Sequence, residues 1–280
     1  MKQDLLIILT LILCSCRYDM GGDYQHLEAF DVHQTPVGGL HVRDIPVSDG
    51  YVRVQSDSNS WGEYLQALPL YYDTVRCYNG QVSNQNAQAY ALVDIEIGTE
   101  DLQQCADAVI RLRSEYLYHE QRFNEIHYNF SNGFKCSYER YAQGKRVCVL
   151  LGRYTFWLGN KVEDYSYPTF RRYLDQVYRY AGTASLVKEL KVVPLDDIQI
   201  GDVLIRGGFP GHAMLVVDMA VHPITGDKQM LVAQGFTPAQ NIHLVKADKE
   251  QPWFSIKDYI SGDGINFLFN IKQIMRWDEH

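Results

Sequence analysis

The chain has 280 residues, 46% of them hydrophobic and 21% charged, with a formal net charge of −8, which excludes a disordered or fibrous polymer and indicates a packed globular protein. No lysine and arginine cluster interleaved with aromatics runs through it, so nucleic acid is excluded as an expected partner. Twenty tyrosines and four tryptophans invite a sugar-stacking reading, but the filling of half-exposed sheet faces is the stronger account of tyrosine.

The N-terminus reads MKQDLLIILTLILCSC. One lysine precedes an apolar run from Leu5 to Leu13 that is too short to span a bilayer as a helix and reads as the apolar region of a signal peptide. Leu13-Cys14-Ser15-Cys16 resembles the bacterial lipobox, in which the final cysteine is acylated and becomes the mature N-terminus. That resemblance implies residues 1–16 as a lipoprotein signal, Cys16 as the lipidation site, and a chain held to the cell envelope, the outer membrane being favoured. No later apolar run reaches spanning length, so the membrane is expected as an anchor only. Residues 17–50 mix glycine, proline and charge without a period, as a tether and entry segment would, and a single domain is expected over 51–280.

Within that body Ser60 and Glu63 have capping-box spacing and predict a short helix from Trp61 to Leu68. Alternation from Tyr90 to Ile97 predicts a strand. The segment TEDLQQCADAVIRLRSEYLYHEQRF carries a helical apolar stripe, with Thr99 or Asp101 as its cap, and places Cys105 within the first two turns. A second helix is predicted in YPTFRRYLDQVYRYAG, with Pro168 at its start. The segments GDVLIRGG, HAMLVVDMAV, MLVAQGF and IHLVK then read as successive strands. Helices early and a meander late suggest an α+β layout.

A cysteine near a helix N-terminus, followed about a hundred residues later by a strand that opens with Gly-His, is a chemically meaningful order. The helix end and a neighbouring imidazolium both favour a thiolate, and a rigid strand can seat the imidazole. Cys105 and His212 are the candidates, with a polar side chain on the next strand to orient the histidine. Outside the cytoplasm the rival use of cysteine is bridging: Cys77, Cys105, Cys136 and Cys148 would permit two disulfides in three connectivities. His119 and His127 lack carboxylates at metal spacing and no Cys-x-x-Cys occurs, so neither a metal nor a cofactor is expected.

The pieces DLQQCADAVIRL, IQIGDVLIRGG, PGHAMLVVDM and MLVAQGF resemble the papain-like cysteine peptidase clan, in particular its NlpC-type and CHAP-type branches. The resemblance implies an α+β, papain-like fold: a helix packed on an antiparallel meander, here with an N-terminal helical extension. It also implies Gln234 as the third catalytic residue; a one-residue slip in strand register would turn Gln234 away from His212, and Asp218, Asn241 and His243 are then the substitutes. Gln104 before the cysteine and Ala106-Asp107 after it depart from that clan's aspartate, serine and glycine. The stretches DLQQCADAVIRLRSEYLY, GDVLIRGGFPGHAMLVVDMAV and AQGFTPAQNIHLVK resemble more closely a family of bacterial lipoproteins known as domain of unknown function 4846. Two functional expectations follow. One is a cysteine-dependent amide hydrolase of the envelope, acting on peptides of the peptidoglycan type through Cys105, His212 and Gln234. The other is a non-catalytic lipoprotein that binds a peptide, glycan or partner protein in the same groove.

Overall fold

The computed structural model describes residues 22–34, 39–248, 251–256 and 274–278. Cys16 and the expected signal lie outside them. The first half of the chain supplies strands β1 (Leu40–His41), β2 (Val52–Arg53), β3 (Pro69–Tyr71) and β4 (Ala89–Val93), and a short helix α1 (Trp61–Gln66). Helix α2 (Cys105–His119) follows, then β5 (His127–Asn129), β6 (Lys135–Ser137), α3 (Tyr138–Ala142), β7 (Arg146–Leu150), β8 (Tyr154–Leu158), α4 (Tyr167–Tyr178) and α5 (Thr183–Leu186). The remainder gives β9 (Lys191–Val192), β10 (Val203–Arg206), β11 (His212–Val221), β12 (Lys228–Gln234), β13 (His243–Val245), β14 (Phe254–Ser255) and β15 (Ile274–Arg276).

Eleven of these strands form one sheet in the order β1-β3-β4-β13-β12-β11-β10-β15-β9, with β14 added to β12 and β2 to β11. Every pairing in it is antiparallel. This overturns the expected α+β, papain-like arrangement. The N-terminal part is not a helical extension, because β1, β3 and β4 join the sheet beside β13 and, among the described residues, the α-helix between them is the six-residue α1. Strands of two to five residues show too little alternation to be seen locally, and the pairing that joins them to the later strands, β4 with β13, spans more than a hundred residues. The β-hairpins β5-β6 and β7-β8 form two further small sheets.

Strand β11 runs through the centre, and nine of its ten residues are buried. Both of its faces meet apolar layers. Ala213, Leu215 and Val217 face the larger core with the helices, while Met214 and Val216 face a second core with Leu195, Met230 and Phe254. A bulge between Val216 and Asp218 shifts the phase by one residue, so that Met219 faces the second core and Ala220 the first. Asp218 sits at this bulge, fully buried. Its carboxylate accepts from Arg53 Nε and Gln66 Nε2, each at 2.7 Å, and so ties β2 and α1 to the central strand.

Helix α2 is enclosed on every side, with all residues from Ala106 to Leu117 buried. Enclosure explains why Arg111 and Glu115 form a buried pair at 2.6 Å rather than a solvated one, with Gln103 Oε1 and the Glu96 carbonyl taking further guanidinium protons. Tyrosine is used for packing here: Tyr118 stacks on Phe170 at 4.4 Å, and Tyr138, Tyr167 and Tyr173 complete that cluster. Replacing Asp218 by leucine leaves Arg53 without its carboxylate, and a cost of about 3 kcal/mol is expected. A urea unfolding midpoint within error of the unmodified chain would refute that anchoring role.

Candidate active site

The head of α2 is built by backbone proximity. Gln104 is its N-cap, and Asp107 Oδ2 accepts from the Gln104 amide at 3.1 Å. The helix therefore starts later than Thr99 or Asp101 would have it, and Cys105 is its first residue. Asp101 instead accepts from Gln104 Nε2 at 3.2 Å and from the Ala239 amide at 2.7 Å, while Thr237 Oγ1 donates to Gln104 Oε1 at 3.0 Å. The side chain of Gln104 thus stitches the helix head to the loop after β12. Gly235 makes this approach possible, since a Cβ there would lie 2.8 Å from the Gln104 carbonyl oxygen and 3.0 Å from Ala108 Cβ.

His212 opens β11, behind the loop Gly207–Gly211. Gly211 is required there, because a Cβ would come within 2.1 Å of Thr183 Oγ1 on α5. His212 Nε2 lies 2.7 Å from Gln234 Oε1, Gln234 Nε2 lies 3.2 Å from His243 Nε2, and His243 Nδ1 lies 3.0 Å from the Asn241 carbonyl oxygen. Gln234 and His243 are direct cross-strand partners on β12 and β13.

This chain of contacts has one consistent protonation pattern. A carbonyl oxygen only accepts, so His243 Nδ1 carries a proton. Burial pushes His243 down to about 4, so at neutral pH its ring is uncharged and Nε2 is an acceptor. Gln234 must then donate its amide to His243 and turn its oxygen to His212. His212 Nε2 consequently donates, and Nδ1 is left as the basic nitrogen.

Cys105 and His212 line one cavity of about 650 Å³, together with Phe236, Thr237, Asp107 and Tyr178. The backbone amides of Ala213, next to His212, and of Ala106 and Cys105 itself act on the Cys105 sulfur electrostatically. Those donors favour the thiolate, but burial outweighs them and pushes the Cys105 thiol up. Burial likewise pushes His212 below the usual histidine range, opposed by Gln234 and helped by the charge of Arg206. The resting pair is therefore neutral thiol and neutral imidazole, not the preformed thiolate and imidazolium that the helix end suggested. Phe236 packs against the His212 ring with centroids 5.1 Å apart and fixes its tilt.

The structure brings Cys105, His212 and Gln234 to one place and separates the substitutes. Asp218 belongs to the buried anchor of β2 and α1. Asn241 contributes its carbonyl to His243 and uses its side chain to accept from the Arg76 amide. His243 is one step behind Gln234. Cys77, Cys105 and Cys136 are free thiols, so no disulfide joins any two of the four body cysteines. Among the described residues no cluster of histidine, cysteine and carboxylates is arranged to hold a metal, and no helix is long and apolar enough to cross a membrane. Sequence reasoning missed Asp107. Its position three residues after the N-cap was the available signal.

A histidine held neutral in the fold stabilises it above the unfolded histidine range and loses that contribution as pH falls, because the unfolded chain then binds the proton the fold refuses. For His243 the window runs from about 6.5 down to about 4, a loss of roughly 3 kcal/mol. Buried Asp107, pushed up to about 8, acts in the opposite direction, so the readout is a difference between chains. The stability gap between the unmodified chain and His243→Gln is expected to shrink by that amount from pH 7 to pH 4 in urea titrations. A gap independent of pH would show that His243 is not held neutral.

Comparison with known proteins adds a family and nothing about chemistry. No curated protein and no solved structure matches the chain. A family described as Domain of unknown function (4846) matches residues 42–276, from the turn after β1 to the end of β15 and including both sides of the cavity. The chain belongs to that family.

Proposed function

We propose that the cavity at the head of α2 is the active site of a cysteine-dependent amide hydrolase. The observation that carries this reading is the directed chain Asn241–His243–Gln234–His212, which leaves Nδ1 as the basic nitrogen of a histidine that lines the same cavity as Cys105. Cys105 Sγ bonds to the amide carbonyl carbon as its proton passes to His212 Nδ1. Carbon–nitrogen cleavage follows, with that proton going to the leaving nitrogen. Water then opens the thioester, giving a carboxylic acid and the restored thiol. Backbone amides at the head of α2 supply donors for the oxyanion. Gln234 orients His212, and His243 positions Gln234. Peptides of the peptidoglycan type are the proposed substrates, and acylation at Cys16 would hold the enzyme at the envelope.

A second reading has a specific observation in its favour. Burial that keeps Cys105 protonated also suits an unreactive thiol at the floor of a binding groove. Mass-spectrometric alkylation of Cys105 by iodoacetamide, combined with release of amines from peptidoglycan peptides, separates the two. Hydrolysis should fall at least 10³-fold in Cys105→Ala and His212→Ala, and about 10- to 100-fold in Gln234→Ala. The kcat/KM profile should rise through the His212 transition, below the ordinary histidine range, and be level at pH 7. No amine release, with alkylation indifferent to His212→Ala, would sink the hydrolase reading and leave the binding one.

A further inference from the structure

Two cavities lie away from Cys105. One, of about 580 Å³, is bounded by α2, the β5-β6 hairpin, Glu189 after α5 and Trp277 after β15. The other, of about 530 Å³, is bounded by α1, Gln199 before β10 and the end of β11. Arg113 and Trp277 line both, so the two adjoin at Trp277 as one groove. It shares no lining residue with the cavity of Cys105 and His212. Arg113 stands about 12 Å further along α2 than Cys105, and Met219 and Val221 come from the opposite end of β11 to His212.

Where the cavities meet, an indole is held firmly. The Arg113 guanidinium lies 5.3 Å from the Trp61 ring centre, 5.4 Å from that of Tyr116 and 5.5 Å from that of Trp277. Trp61 and Tyr116 belong to the core, whereas Trp277 packs against it half-buried. The cation fixes the plane of a ring that still reaches the groove.

Charge along the groove favours neither sign. Glu125 is taken by two hydrogen bonds from Arg122, at 2.7 and 2.6 Å, and Asp278 by Lys191. Burial and the charge of Lys135 push His127 below the usual histidine range. In the second cavity Arg276 is paired with Asp202 at 2.8 Å, and Asp57 and Lys228 add one charge of each sign. The first cavity keeps one acid and one base. Glu189 Oε1 accepts from the Asn129 amide at 2.8 Å, and burial pushes this carboxyl up to about 7. Lys135 is exposed on β6. A simple anion would meet Glu189 and a simple cation would meet Lys135, whereas hydroxyl groups, which both donate and accept, suit the two together.

We propose that this groove binds an uncharged oligosaccharide of β-1,4-linked pyranose rings, one ring stacked on Trp277 and its hydroxyls bonded to Glu189 and Lys135. Equatorial hydroxyls leave such a ring with a flat C–H face, the shape that rests on an indole. A straight β-1,4 chain also suits two adjoining clefts of this size. Glycan binding here is independent of the chemistry at Cys105.

The test is calorimetric titration of the full chain with cellotetraose and with tetra-N-acetylchitotetraose. At least one is expected to bind with a Kd of about 1 mM or below. Trp277→Ala should weaken that binding about tenfold, and Lys135→Ala about threefold. Lys135 is exposed, so its variant decides the matter if circular dichroism shows that Trp277→Ala does not fold. Phe209→Ala, at the mouth of the thiol cavity, should leave the affinity unchanged. Binding of neither sugar, or an affinity untouched in a folded Trp277→Ala, overturns the proposal. So does a loss of affinity in Phe209→Ala, which would place the sugar beside Cys105 instead.

Discussion

The burial of β11 on both faces is the constraint on which the rest of the molecule depends. A strand with apolar layers above and below can neither slide nor rotate without exposing one of them. Its first residue, His212, is therefore fixed by a register that is set far along the strand. The bulge at Asp218 lets a ten-residue strand serve both layers while turning one carboxylate toward Arg53 and Gln66. What reaches the cavity is the rigid end of a structural beam, and the chemistry there inherits that rigidity.

Much of this central region was legible in the sequence. The predicted strand HAMLVVDMAV coincides with β11, and Ser60 caps α1 as its spacing predicts, accepting from the Glu63 amide at 3.2 Å. Glycines mark the ends of the strands that carry His212 and Gln234, so the two residues could be nominated from local signals. The role of His243 could not be, because it depends on the pairing of β13 with β12 across a loop whose length says nothing of register. The sheet as a whole was illegible for the same reason. β1, β3 and β4 are short and separated by turns, they pair with one another, and β4 alone of the three pairs with β13.

The departures around Cys105 acquire a physical explanation. Gln104, where the sequence resemblance leads one to expect an aspartate, bridges Asp101 and Thr237. Asp107 stands in place of a glycine and closes the first turn through the Gln104 amide. Both make the helix head stiffer. The sheet around it differs as well: in this chain Cys105 heads a helix while His212 and Gln234 lie on neighbouring strands of one large antiparallel sheet.

A thiol kept protonated by its surroundings has a consequence for survival in air and peroxide. Oxidants and disulfides react with the thiolate, and a group that seldom ionises is a poor target for sulfenic acid formation or mixed-disulfide exchange. Cys105 is itself a free thiol, as are Cys77 and Cys136. The same burial that slows its ionisation thus protects the sulfur from oxidants that would consume a standing thiolate.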